Sequence, residues 1–280
     1  MKTDISNWEV LSKRPGSSNY ISPDREWMVK TIISSHDNDL DIMKEEQRLS
    51  DAVFAMGIPT PKNDGIIELE GDEYGIIYEF IDGKESLSRA MSNNPSRIEE
   101  CMKKFDELGK AIHCTECDTE KFEAIEDKLL DRLTRVTLLT DDEKERIRRF
   151  IEQVPRKTTC LHGDFHPGNF ITAPAGDYVI DLGNFSYGNP LYDWGHWWFM
   201  SHAIPEELAE KVFHTSREAM LKYWELSLEN AFDAKTDQQK KELEEEIKPF
   251  AMLSMVLYFE EKPFERWLID ILMKETGFFA

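Results

Sequence analysis

Between residues 158 and 183 the chain alternates short apolar segments with tight polar turns, and this alternation constrains the fold more than any other feature. Thr158–Leu161, Phe170–Thr172 and Tyr178–Asp181 are too short for helices and read as strands. The turn His162-Gly-Asp-Phe-His-Pro-Gly-Asn169 separates the first two, and Ile180-Asp-Leu-Gly183 ends the third. A carboxylate (Asp164), an amide (Asn169) and a second carboxylate (Asp181) therefore stand at strand ends. Any fold for this chain has to present those three groups from a small β element set among helices.

The flanking segments place that element. Trp27 to Ile33 reads as a strand carrying one lysine, Lys30, and Lys13-Arg-Pro-Gly-Ser-Ser-Asn-Tyr20 upstream reads as a turn-rich link between two strands. From Asp39 to Met56 the apolar residues Leu40, Met43, Leu49, Val53 and Met56 recur at helical spacing, and Gly57 with Pro59 and Pro61 stops that helix. Ile66–Leu69 and Tyr74–Ile81 form a hairpin, and Asp82-Gly-Lys84 is a polar break. Beyond the break the pattern is helical. Ser96 with Glu99 and Thr140 with Glu143 sit at capping-box spacing. The final helices, from Leu191 onward, are expected to be separated by Pro205, Pro249 and Pro263. The expectation is an α+β chain of two lobes, residues 1–81 strand-rich and residues 82–280 mainly helical, hinged near residues 79–84.

Composition removes several classes of partner. A net charge of −21 disfavours nucleic-acid backbones and anionic membranes. It suits a cationic small molecule, although a solvated acidic surface accounts for most of it. The segment Met1 to Trp8 lacks the apolar core of a signal peptide, and no apolar run is long enough to span a bilayer. With only four cysteines in 280 residues, reduced thiols in a cytoplasm are expected. Cys114-Thr-Glu-Cys117 beside His113 has metal-like spacing but no second ligand pair, so structural thiols are the better reading.

Asp, Asn and Gly are common in turns, and for Asp164 or Asn169 alone that plain reading is the better one. The pair followed by Ile-Asp-x-Gly at a hairpin's distance outweighs it. One carboxylate that orients a hydroxyl, with two hard oxygen ligands for Mg²⁺, is what moving a phosphoryl group from a nucleotide requires. His162-Gly-Asp-x-x-x-x-Asn169 with Ile-Asp181-x-Gly183 resembles the catalytic and metal-binding loops of protein-kinase-like enzymes. More closely, it is similar to the aminoglycoside phosphotransferase and choline kinase superfamily, and Gly188-Asn-Pro-Leu-Tyr-Asp193 is similar to that group's Gly-Asp-Pro-x-x-Asp segment.

The resemblance implies a kinase-like fold and a residue set. Asp164 would orient the acceptor hydroxyl, Asn169 and Asp181 would hold Mg²⁺, and His162 and His166 would support the loop. Lys30 would meet the phosphates of ATP or GTP, with Glu46 as its helix carboxylate. Glu45 points roughly 100° away on the same helix. Ser17 and Ser18 stand in for a glycine-rich loop, since Pro15-Gly-Ser-Ser-Asn-Tyr20 has one glycine where kinases show three. The backbone at Glu79 and Ile81 would meet the adenine. Asp193 has a family counterpart that stabilises the catalytic segment.

The acceptor pocket is expected in the helical lobe, among Asp193, Trp194, Trp197, Trp198, Trp224, Tyr258, Glu260, Glu261 and Trp267, where acidic and aromatic groups suit an amine. For most of these residues a packed core or a solvated face is the simpler account. An aminoglycoside, amino sugar or similar polyol is the expected acceptor. Asn189, where relatives carry Asp, removes one charge from the standard site. Choline or ethanolamine is disfavoured because choline kinases show Ile-Asp-Phe-Glu where this chain has Ile-Asp-Leu-Gly. A nucleotide-binding pseudoenzyme with a regulatory role is opposed by the intact Asp164, Asn169, Asp181 and Lys30. A protein kinase is opposed by the missing Ala-Pro-Glu segment and the short stretch after Asp-Leu-Gly.

Overall fold

The computed structural model describes residues 3–14, 17–32, 39–69 and 73–259, together with Asp270 and Lys274. The chain divides into two compact units, Met1–Glu85 with Ile171–Gly183, and Ser86–Phe170 with Asn184–Ala280. This differs from a single boundary after residue 81. The chain crosses at residue 85, and the segment holding Asp181 packs with the first unit. One anchor is the Val179 amide, which donates to the Pro59 carbonyl at 2.7 Å.

The first unit is built on an antiparallel sheet of β1 (Glu9–Arg14), β2 (Ser17–Ile21), β3 (Trp27–Ile32), β4 (Asn63–Glu68) and β5 (Tyr74–Glu79). The strand order is β1-β2-β3-β5-β4. β3 is central, with Lys30 opposite Asn19 on one side and Ile76 on the other. Ser17 and Ser18 lie in β2 rather than in the turn, because they pair with Arg14 and Lys13 and continue the ladder. The helix α1 (Asp39–Ala55) packs on β4 and β5 and buries Met43, Leu49 and Val53, the apolar stripe seen in the sequence.

The second unit holds β6 (Glu85–Ser86) at its entry, α2 (Leu87–Asn93), α3 (Ile98–His113), α4 (Ile125–Arg135) and α5 (Asp141–Gln153). After β7 (Thr159–Leu161) come β8 (Phe170–Ala173) and β9 (Gly176–Val179), most of which belong to the first unit. Back in the second unit are β10 (Ser186–Gly188), α6 (Leu191–His202), α7 (Glu206–Phe213), α8 (Arg217–Phe232) and α9 (Asp237–Phe259). Thr140 and Glu143 form the expected capping box on α5. Ser96 and Glu99 do not. Asn94 caps a short 3₁₀ turn at Pro95–Arg97 instead, and its side-chain oxygen accepts from the Ser96 hydroxyl at 2.7 Å. Pro205 precedes α7, whereas Pro249 lies inside α9 and does not divide it; Pro263 is outside the described residues.

Packing concentrates on α3 against α8 and α6 against α9. Between these helices sits an aromatic cluster. Phe105 of α3 lies 4.6 Å from Phe165 and 4.8 Å from Phe170 by ring centroids, and Phe165 lies 5.1 Å from Trp194 of α6. Phe105, Phe165 and Phe170 are fully buried. Burial of each ring contributes about 1.5–3 kcal/mol, with edge and tilted contacts adding roughly 0.5–1.5 kcal/mol per pair. Phe165 and Phe170 flank Asp164 and Asn169 in sequence, so this core fixes both ends of the polar turn. Also on α3, Asp106 is buried and accepts hydrogen bonds from Ser227 and Asn230 of α8. Among the described residues no helix is long and apolar enough to cross a membrane.

Candidate active site

The turn after β7 is held from below by one carboxylate. β7 pairs with β10, and Cys160 and Leu161 are buried in that ladder. The backbone then bends at Gly163, whose φ of +80° is costly for any residue with a Cβ. A Cβ there would also stand 2.2 Å from the Asn184 carbonyl oxygen. The freed amides of His162 and Gly163 donate to Asp193 of α6 at 2.8 and 2.9 Å. His113 Nε2 lies 2.9 Å from the same carboxylate. Burial opposes ionisation of Asp193, but the His113 contact and the backbone donors hold its carboxyl below the usual range.

Asp164 projects from this bend. Its amide donates to His162 Nδ1 at 3.2 Å, so His162 braces the loop. Its Oδ2 accepts from the Asn169 amide nitrogen at 2.9 Å, and the Asp164 carbonyl accepts from the same nitrogen at 2.9 Å. Because that nitrogen is committed twice, the Asn169 amide oxygen is the atom left to ligate a cation. The other carboxylate oxygen, Oδ1, is 2.9 Å from His196 Nε2 and 3.4 Å from His166 Nε2. His166 Nδ1 in turn caps the 3₁₀ turn Pro167–Asn169 by accepting from Gly168. Burial pushes the Asp164 carboxyl up, yet the two imidazoles prevail and hold it well below the usual carboxylate range. The side chain keeps 23% of its surface exposed, so an ionised carboxylate remains open to a ligand.

The first unit gathers a second set. Lys30 Nζ lies 2.7 Å from Glu46 Oε1 and 3.3 Å from Asp181 Oδ1. The Tyr78 hydroxyl donates to Glu46 Oε1 at 3.0 Å. Burial would lower the Lys30 ammonium, but Asp181 and Glu46 raise it above its ordinary value. Glu45 faces elsewhere and pairs with Arg48 at 2.6 Å. Asp181 adopts a left-handed backbone with φ +63°, an uncommon conformation outside glycine that tends to mark functional turns. Its side chain is 56% exposed. Asp181 is thus an exposed carboxylate, a hard oxygen donor, on the segment that returns to the first unit.

The other expected residues are placed less tellingly. Pro15 and Gly16 lie outside the described residues, Ser17 is at the start of β2, and Ser18 has a buried side chain. The Glu79 amide donates to the Lys62 carbonyl at 2.8 Å, and Ile81 is buried just past β5. Trp194, Trp197, Trp198 and Trp224 are buried core residues. Glu260, Glu261, Trp267 and the side chain of Tyr258 lie outside the described residues. Three contributors escaped sequence reasoning. Tyr78 and His196 carry no motif, and His113, considered there only beside Cys114, turns instead to Asp193.

The family model described as "Phosphotransferase enzyme family" matches residues 19–225. No curated protein matches the chain in sequence. Among solved structures, the ADP-bound aminoglycoside phosphotransferase APH(2'')-Ib is 18% identical, with a TM-score of 0.58 over 97% of this chain and 92% of that one. The GDP and kanamycin complex of APH(2")-IIia is 12% identical, with a TM-score of 0.54 over 97% and 92%. A choline/ethanolamine kinase family protein from Mesorhizobium loti is 12% identical, with a TM-score of 0.54 over 96% and 86%. The fold is that of protein-kinase-like enzymes, and the chain belongs to the phosphotransferase enzyme family.

Proposed function

We propose that the chain transfers the γ-phosphoryl group of ATP or GTP to a hydroxyl of a small molecule, an aminoglycoside or amino-sugar-like compound. The observation that carries this reading is the Asp164 carboxylate, kept ionised and partly open while Asn169 and His196 hold its two oxygens. A carboxylate so fixed accepts a hydrogen bond from the acceptor hydroxyl and aims its oxygen at phosphorus. In a loose transition state that alignment counts for more than basicity. Lys30, oriented by Glu46, meets the donor phosphates. Asn169 and Asp181 are the residues that would hold Mg²⁺, which neutralises phosphate charge when bound.

Support for the nucleotide comes from relatives solved with ADP and with GDP, and support for the acceptor from the relative solved with kanamycin. The net charge of −21 favours a cationic acceptor. We infer a reducing cytoplasm as its location from the small number of cysteines, four in 280 residues.

The deciding experiment measures ADP or GDP release from MgATP and MgGTP with kanamycin, gentamicin, streptomycin, glucosamine, choline and glucose as acceptors. Aminoglycoside-dependent release that disappears in Asp164→Ala is expected. A preference for choline would move the chain to the choline kinase branch. Asp164→Ala turning over at the wild-type rate would sink the assignment of that residue.

A further inference from the structure

The helix α6 reaches the catalytic turn twice, and only its first contact is marked in the sequence. Asp193, in its first turn, binds the backbone of the loop at His162 and Gly163. Residues three apart on a helix are neighbours on one face, and His196 occupies that next position. Its Nε2 stands 2.9 Å from Asp164 Oδ1, and its side chain is 2% exposed, so water does not compete for the contact. Between them, Gly195 lets α6 seat directly on α9, because a Cβ there would lie 2.4 Å from the Phe250 backbone. Asp193 and His196 therefore act from a helix whose own position is fixed.

The consequence falls on the carboxylate itself. A lone contact from Asn169 to Oδ2 leaves the Asp164 carboxylate able to swing about the Cβ–Cγ bond. A second contact on Oδ1 fixes that rotation. His166 approaches the same oxygen less closely, at 3.4 Å, and its other nitrogen is already used to cap Gly168. We propose that His196 is a positioning residue for phosphoryl transfer, setting the plane of the Asp164 carboxylate while Asp193 sets the backbone that carries it. The proposal rests on the reading of Asp164 as the group that orients the acceptor hydroxyl.

The test uses water as the acceptor and so requires no identified small molecule. Hydrolysis of MgATP and MgGTP is followed in wild type, His196→Leu, His196→Gln and Asp164→Ala, and two-bond ¹H–¹⁵N spectra are recorded on histidine-labelled wild type and Asp164→Asn. In His196→Leu, kcat should fall at least tenfold while the nucleotide KM stays within about twofold. His196→Gln, which retains an N–H donor, should recover to within about threefold of wild type. Asp164→Asn should shift the His196 Nε2 resonance. A folded His196→Leu with wild-type kcat, beside an inactive Asp164→Ala, overturns the role of His196 and leaves that of Asp164 standing. An Asp164→Ala with wild-type kcat overturns the Asp164 reading instead. A His196 resonance indifferent to Asp164→Asn overturns the contact, whatever the rate with water.

Discussion

Asp106 should make the protein less stable as pH rises, and Asp106→Asn should abolish that loss. The carboxyl is 3% exposed, and burial pushes it from 3.8 up to about 7, only partly offset by donors from Asn230 and Ser227. The folded value lies above the unfolded one, so between them the native state holds a proton that the unfolded chain has released. The stabilising contribution is complete below about pH 4 and is lost as pH rises through about 7. The gap corresponds to about 4 kcal/mol at about 1.4 kcal/mol per pH unit. For a unit of this size, about 2–4 °C per kcal/mol converts that to roughly 8–16 °C in melting temperature. Asparagine is neutral throughout, and the Ser227 hydroxyl and Asn230 amide can both reverse to accept from it. Thermal unfolding followed by tryptophan fluorescence should show the variant higher by roughly 3–7 °C at pH 5, where about 1.7 kcal/mol of the contribution is already lost, and by roughly 8–16 °C at pH 8.5. An equal difference at both pH values would refute the argument, because a lost hydrogen bond or a packing change does not depend on pH.

Asp193→Ala strands two backbone donors and His113 in a buried site and should cost about 3–5 kcal/mol, read as a lowered urea midpoint with turnover lost. Gly163→Ala combines left-handed strain of about 1–2 kcal/mol with an overpacking cost of about 1–3 kcal/mol against Asn184; kcat should drop at least tenfold, and a wild-type kcat would show that the loop tolerates a Cβ there. Glu46→Gln removes a charge-assisted partner of Lys30 worth about 2 kcal/mol, so the melting temperature should fall by roughly 4–8 °C and the KM for MgATP should rise as Lys30 loses its orientation.

Much of this architecture could be read from residue patterns, and the exceptions have physical causes. α1 was legible because Met43, Leu49 and Val53 repeat at helical spacing and all three are buried. The Lys30–Glu46 pair followed from a strand and a helix whose order the sequence made plain. α9 was misjudged at Pro249, where close packing against α6 outweighs the roughly 3 kcal/mol that proline costs inside a helix. The cap of the 3₁₀ turn was misplaced because Asn94 precedes Ser96 and has Pro95 at the favoured first position. His196 was invisible for a different reason. Its partner lies 32 positions earlier in the chain, and no local periodicity reports such a contact.

The return of residues 171–183 to the first unit has a consequence for how the protein is made. At roughly 5–20 residues per second, synthesis reaches Val179 about 5–20 s after Glu85. Until then Pro59 lacks the amide that closes on it, and Lys30 has Glu46 but not Asp181. The sheet of β1 to β5 therefore waits, unfinished, while the chain of the second unit up to Phe170 emerges. A nascent chain halted anywhere between these points presents an incomplete first unit to proteases and chaperones, and severing the chain at residue 85 would leave the first unit without its returning segment and the second carrying that segment unpaired.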